Sequence, residues 1–278
     1  SQRTTGFFGP PAETGVPADA RNAGLFAREQ QLPTTIGGAM HLNVDSLSSW
    51  YDSLSDDDRW RYPDGSVVGS PLEAAFVRVS GDKQVVHDPP FYAPTIYNPG
   101  LLDLKSTIAT QTLGLGFASF YVDSATSVAG PVVDVSDWAI DAFQSHLTSL
   151  EPTRLDELGI DSPDSFDFHS YLESENLLPG EVSTPIDDPV VREYVLFHHQ
   201  NVKSYYEAFR DRIENAYPDR TDANAIKFYG NQYVGTKFRN SLAASTYLSD
   251  PFDVVTIEDN PTVPPDRIRD VVYKYGLA

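Results

Sequence analysis

The chain has 278 residues, 40% of them apolar, with 40 acidic against 20 basic side chains and no cysteine. That length and apolar share are enough to bury a sizeable core, while the formal charge of −20 excludes the basic stripe that nucleic-acid binding needs. The lack of Cys excludes disulfides and thiolate metal sites, and no apolar run approaches the ~20 residues that cross a bilayer.

The acids are 28 Asp to 12 Glu and the bases 14 Arg to 6 Lys. Charge of this size repels itself in dilute buffer, whereas molar salt shortens the Debye length to roughly 3 Å and removes most of that cost. The skew is similar to that of halophilic archaeal proteins and predicts folding and work in strong salt. A missing disulfide framework leaves the compartment open; a leader removed before Ser1 would fit a secreted or cell-surface place, which is favoured over the cytoplasm.

Residues 1–33 mix Gly, Pro, Thr and Ala without periodicity and read as an extended arm, helical only over Ala20–Gln31. Thr34–Leu42 is an apolar run with two glycines, the pattern of a buried strand, with His41, Asn43 and Asp45 at its carboxyl end. Ser46–Leu54 reads as a helix, Asp56, Asp57 and Asp58 with Pro63–Gly65 as a loop and turn, and Glu73–Val86 as a hairpin about Gly81. Pro89–Pro99, with four prolines and three aromatics, reads as an ordered loop with an aromatic face that includes Tyr97.

Beyond it, Leu101–Thr112 is a helix and Gly114–Val122 a buried strand ending at Asp123. Ser136 caps a helix of regular three- and four-residue apolar spacing, and Asp188 with Pro189 opens the longest helix, which runs to Tyr217. Ala225–Tyr229 is a strand ending in Gly230, Asn231 and Gln232; Asp253–Ile257 is another ending in Glu258; and Arg267–Tyr275 begins a further helix. Strand, polar carboxyl end, loop and helix recur in this order, the grammar of a βα architecture whose reactive groups gather at the carboxyl edge of the sheet.

Five segments, GFASFYVDS from Gly116, DVSDWAIDAFQSHL from Asp134, the long helix from Asp188, KFYGNQ from Lys227 and DPFDVVTIEDN from Asp250, follow one another as in a known family. Over Pro99–Tyr275 the chain resembles the catalytic barrel of the clan of retaining glycoside hydrolases that includes the family 42 β-galactosidases. The resemblance implies an α/β fold, a (β/α)8 (TIM) barrel-like domain over 34–278 that further strands beyond Ala278 would complete, and action on a poly- or oligosaccharide. One departure bears on the chemistry. With Val122 and Asp123 on the family's Val-Asp pair, Ser124 and Ala125 stand where the family has Asn and its acid/base Glu.

Glycoside hydrolysis uses two carboxyl groups flanking the scissile bond. Asp123, as nucleophile or base, and Glu258, as acid, both follow buried runs and precede loops, and are the candidate pair; capping of the following helix or loop is the structural alternative. His41, Asn43 and Asn231 with Gln232 offer polar groups for sugar hydroxyls, and Tyr97 and Tyr229 offer rings for a pyranose face. His198 and His199 are adjacent on a helix and point about 100° apart, so they do not share a metal; Asp56–Asp58 lack the spacing of a calcium loop. No Gly-rich nucleotide loop or nucleophile elbow occurs, so no cofactor is expected. The carbohydrate partner leaves two alternatives open: a barrel that binds sugar without cleaving it, and a structural or cell-surface protein.

Overall fold

The computed structural model describes residues 35–39, 41–86, 89–123, 133–177, 187–221, 224–233 and 251–258, at 35–39, 123, 231–233 and 255–258 by the backbone alone. Four strands, β1 (Thr35–Ala39), β4 (Ser119–Asp123), β5 (Lys227–Tyr233) and β6 (Val254–Glu258), form one sheet in the order β1-β4-β5-β6, parallel throughout. Each strand joins the edge left by its predecessor, so the order advances in one direction with no switch point. The expected α/β class holds. A barrel is not shown: among the described residues the four-stranded sheet stays open, and the antiparallel pair β2 (Leu42–Asn43) and β3 (Phe91–Tyr92), which barrel grammar does not contain, stands after β1.

Local chemistry fixes the helices. Helix α1 (Val44–Asp52) starts where the Asn43 side chain accepts from Ser46 N at 3.1 Å, and buries Leu47 and Tyr51, one turn apart. Helix α2 (Pro99–Leu113) has Pro at its first position and Asn98 accepting from Gly100 N at 2.9 Å. Helix α3 (Asp137–Thr148) is capped by Ser136, and two short helices, α4 (Pro152–Leu158) and α5 (Phe168–Ser174), follow. The 28-residue α6 (Pro189–Ala216) is capped by Asp188, whose Oδ1 accepts from Val190 N and Val191 N at 2.9 Å each.

Two of the expected strand limits move, each for a visible reason. The run from Gly114 is turn until residue 118, because Gly114 and Leu115 N–H groups close α2 on Thr110 and Thr112, and Gly116 takes φ +109. Strand β5 does not stop at Tyr229. Gly230 continues it, and a side chain there would meet the Phe252 ring at 3.2 Å, so glycine is what lets Phe252 lie against the strand.

Two apolar clusters make the core. One joins Phe120, Val122 and Phe228 of the sheet to Leu104, Ile108 and Leu113 of α2 and to Val202, Phe209 and Ile213 of α6. The other gathers Phe143 and Leu147 of α3, Phe168 and Leu172 of α5, and Val190, Val191, Tyr194 and Phe197 of α6. Helices α2 and α6 therefore cover the sheet face that holds the even-numbered residues of β4 and β5. Among the described residues no helix is long and apolar enough to cross a membrane; α6 has the length but buries only one stripe.

Candidate functional site at the carboxyl edge of the sheet

Parallel strands put all four carboxyl ends on one edge, and strand alternation splits the residues there into two sets. The set opposite the helices forms rows across the sheet. Gly37, Tyr121, Tyr229 and Val254 are level with one another. One step toward the carboxyl edge stand Ala39 and Asp123, level with the row of Asn231 and Thr256, and one step further stand Tyr233 and Glu258. Asp123 and Glu258 thus share both the edge and the parity. Gln232 alternates with Asn231, so the two expected sugar ligands belong to opposite faces, and only Asn231 shares parity with Asp123.

The first row is described in part by its side chains. Tyr121 and Tyr229 are half-buried, Val254 is 45% exposed, and none of the three belongs to either apolar cluster. Tyr229 is one of the rings that the sequence offers for a pyranose face; its register partner Tyr121 is not, because it lies between Phe120 and Val122 in a run that reads as uniformly buried.

The remaining expected ligands make contacts within the protein. Asn43 spends its amide oxygen on the α1 cap. The Tyr97 hydroxyl lies 2.8 Å from His198 Nδ1, and its ring stacks on Phe197 with centroids 5.5 Å apart, so the tyrosine is a tie between the loop before α2 and the middle of α6. His41 is 4% exposed, and its carbonyl accepts from Lys105 Nζ at 2.8 Å. Lys105 itself, in a helix whose sequence reads as plainly apolar, is 1% exposed, and burial pulls its ammonium pKa down to about 7.

A second polar knot lies under α3. Asp134, 1% exposed, accepts from Val77 N at 3.1 Å and Ser136 N at 2.9 Å through Oδ1, and Tyr194 donates to its carbonyl at 2.8 Å. Burial raises its carboxyl pKa against these hydrogen bonds. Its partners, the main-chain N–H groups of Val77 and Ser136 together with the Thr95, Ser136 and Tyr194 side chains, fix the entry to α3, which makes it structural. Nearby, Glu193 accepts from Arg154 at 2.7 Å and meets His146 Nε2 at 2.9 Å. Among the described residues no three His, Asp or Glu side chains converge as metal ligands.

No family model and no curated protein matches the chain. Among solved structures the chain is similar to one described as a structural analysis of an exo-beta-agarase, at 10% identity and a TM-score of 0.46, over 90% of this chain and 30% of that one. The chain therefore spans about 30% of that protein's length.

Proposed function

We propose that the chain is carbohydrate-active and hydrolyses glycosidic bonds of a poly- or oligosaccharide, with Asp123 as nucleophile or base and Glu258 as acid. The observation that carries the reading is their register: same edge, same parity, two strands and two residues apart. Strand spacing and rise put their α-carbons on the order of 12 Å apart, a span that two acidic side chains can shorten to the separation of a glycosidase pair. The order of segments over Pro99–Tyr275 supports the same class. An acid placed on one side of an oxocarbenium-like transition state and a carboxylate on the other would supply the rate.

The test is turnover of a panel of aryl glycosides and polysaccharides in molar salt by the wild type and by Asp123→Asn and Glu258→Gln. Each substitution is expected to abolish turnover without unfolding the chain; undiminished turnover in both would remove these residues from the mechanism. Ala125, where the resembling family has its acid/base, favours one second reading, a sugar-binding domain without turnover. Retention on an immobilised glycan with no product released would establish it.

A further inference from the structure

We infer that the groove between α2 and α6, on the side of α2 turned away from the sheet, is a second binding site, for a short neutral saccharide. It goes beyond the hydrolase reading, because it stands apart from Asp123 and Glu258 and needs no turnover. Helix α2 buries Leu101, Leu104, Ile108 and Leu113 in the core it shares with the sheet. Its opposite stripe recurs every three or four residues and bears Asp103, Ser106, Thr107, Thr110 and Gln111. These five and Arg212 of α6 line a cavity of about 420 Å³, within the size range of small-molecule sites. The stripe is about 12 Å long, so a short oligosaccharide lies along the helix. The two helices share one apolar cluster, and Tyr217 donates to the Thr110 carbonyl, so the walls are fixed before a ligand arrives.

One side chain of the stripe points to an occupant. Ser106 is 5% exposed, and its Oγ is buried with no hydrogen-bond partner among the described residues. A helical hydroxyl commonly satisfies itself on the carbonyl one turn back, as Thr112 does on Ile108 at 2.7 Å. On α6 the Tyr205 hydroxyl is likewise buried without a partner among the described residues; burial raises its pKa and the Arg212 charge acts against that. Buried hydroxyls left unpaired carry a cost that a hydroxylated ligand removes. The class of ligand follows from the lining. Asp103 and Arg212 form an ion pair between the two helices, so the charges of the groove cancel. A guanidinium and a carboxylate together hold more donors and acceptors than one ion pair uses. Hydroxyls and an amide both donate and accept, as the hydroxyls of a sugar do. An anion would have to draw Arg212 away from Asp103, in a chain of net charge −20.

Calorimetric titration and hydrogen exchange in molar salt test this, with a neutral glucotriose, a neutral galactotriose, glycerol and sulfate as probes and turnover followed in parallel. Expected are saturable binding of at least one triose and slowed exchange over α2 and the second half of α6, both kept when Asp123→Asn is combined with Glu258→Gln. Thr107→Trp fills the groove from an exposed position and is expected to weaken binding roughly tenfold or more. Ser106→Ala, which breaks no hydrogen bond of the described residues, is expected to lose roughly three- to tenfold with its melting temperature unlowered. Asp103→Asn leaves the Arg212 charge unpaired and is expected to admit sulfate. No saturable binding of either triose, glycerol or sulfate binding equal to it in the wild type, slowed exchange confined to the strand ends, or wild-type affinity in both Thr107→Trp and Ser106→Ala overturns the inference. Groove binding without turnover overturns only the hydrolase reading; turnover that needs Asp123, with no triose bound at α2, overturns only the groove.

Discussion

Tyr97 Oη and His198 Nδ1 lie 2.8 Å apart, joining the segment that leads into α2 to the middle of α6. Burial, reinforced by the neighbouring His199, holds the His198 imidazole pKa down to about 3, against about 6.5 in an unfolded chain. The unfolded state therefore takes up the proton first. Stability present above pH 6.5 drains away as the pH falls toward 3. Denaturation at pH 7 and pH 5 is expected to show His198→Gln losing less stability across that interval than the wild type, and Tyr97→Phe losing about 1 kcal/mol at pH 7. Identical acid slopes in wild type and His198→Gln would contradict this.

Trp60 lies against the first turn of α2 where a side chain at Gly100 would come 2.7 Å from its Nε1 and 2.9 Å from its Cγ. The ring is rigid and 6% exposed, held between Tyr51, at 5.0 Å, and Trp50. Gly100→Ala is expected to cost about 1–3 kcal/mol through overpacking. All three tryptophans, Trp50, Trp60 and Trp138, share this region or its stacked neighbour Tyr62, so a shift in indole emission should accompany the lowered melting temperature. A variant with unchanged melting would show that the helix start can slide away from the ring.

Much of this arrangement could be read from residues. The caps Ser136 and Asp188 marked the starts of α3 and α6 because short acceptor side chains before an apolar stripe leave few other uses for themselves. The edge that holds Asp123 and Glu258 was legible for the same reason that all βα edges are: a buried run must end in polar residues. Parity was not. Whether Asn231 and Gln232 share a face depends on β5 running on through Gly230, and that depends on Phe252, twenty-two positions later in the chain, filling the space a side chain would take. The uses of Asn43 and Tyr97 were likewise hidden, since an amide or hydroxyl looks the same in sequence whether it meets a ligand or the protein itself. Helices α4 and α5 are too short for periodicity to announce.

Glu193 joins α3, α4 and α6 by accepting from Arg154 and His146. Burial acts to raise its carboxyl pKa, but the hydrogen bonds from Arg154 and His146 outweigh it and hold the carboxylate below its usual range. A depressed folded-state pKa means stability that is present above the ordinary glutamate range and lost as the pH drops through the folded value. Glu193→Gln is expected to lower stability by about 1–3 kcal/mol at pH 7 and by less at pH 3. A cost that does not shrink in acid would assign the loss to packing instead.

The Lys105 ammonium is a buried cation whose folded-state pKa, about 7, lies below its ordinary value. Between pH 7 and about 10 the unfolded chain binds the extra proton, so this lysine makes stability climb with pH across that window. In Lys105→Met the climb is expected to be absent, although the His41 carbonyl loses its donor. Urea midpoints at pH 7 and 9.5 for both chains decide it; parallel changes would mean that the amine is solvated.

The charge of −20 carries its own expectation. Dialysis from 2–3 M potassium chloride into dilute buffer should lower the melting temperature progressively, and the first molar of added salt should restore most of it. A melting temperature indifferent to salt would show that the acids are spread widely enough to coexist without counterions.

Helix α6 presents Val190, Val191, Tyr194 and Phe197 to one apolar cluster and Val202, Phe209 and Ile213 to the other. Both nuclei thus hang on one unbroken rod about 42 Å long. Neither can melt without stripping half of that rod of its partners, and a half-stripped helix is marginal in water. The two clusters are therefore expected to unfold as a single thermodynamic unit, with calorimetric and van't Hoff enthalpies in agreement, and a lesion beneath α3 will be felt at the sheet.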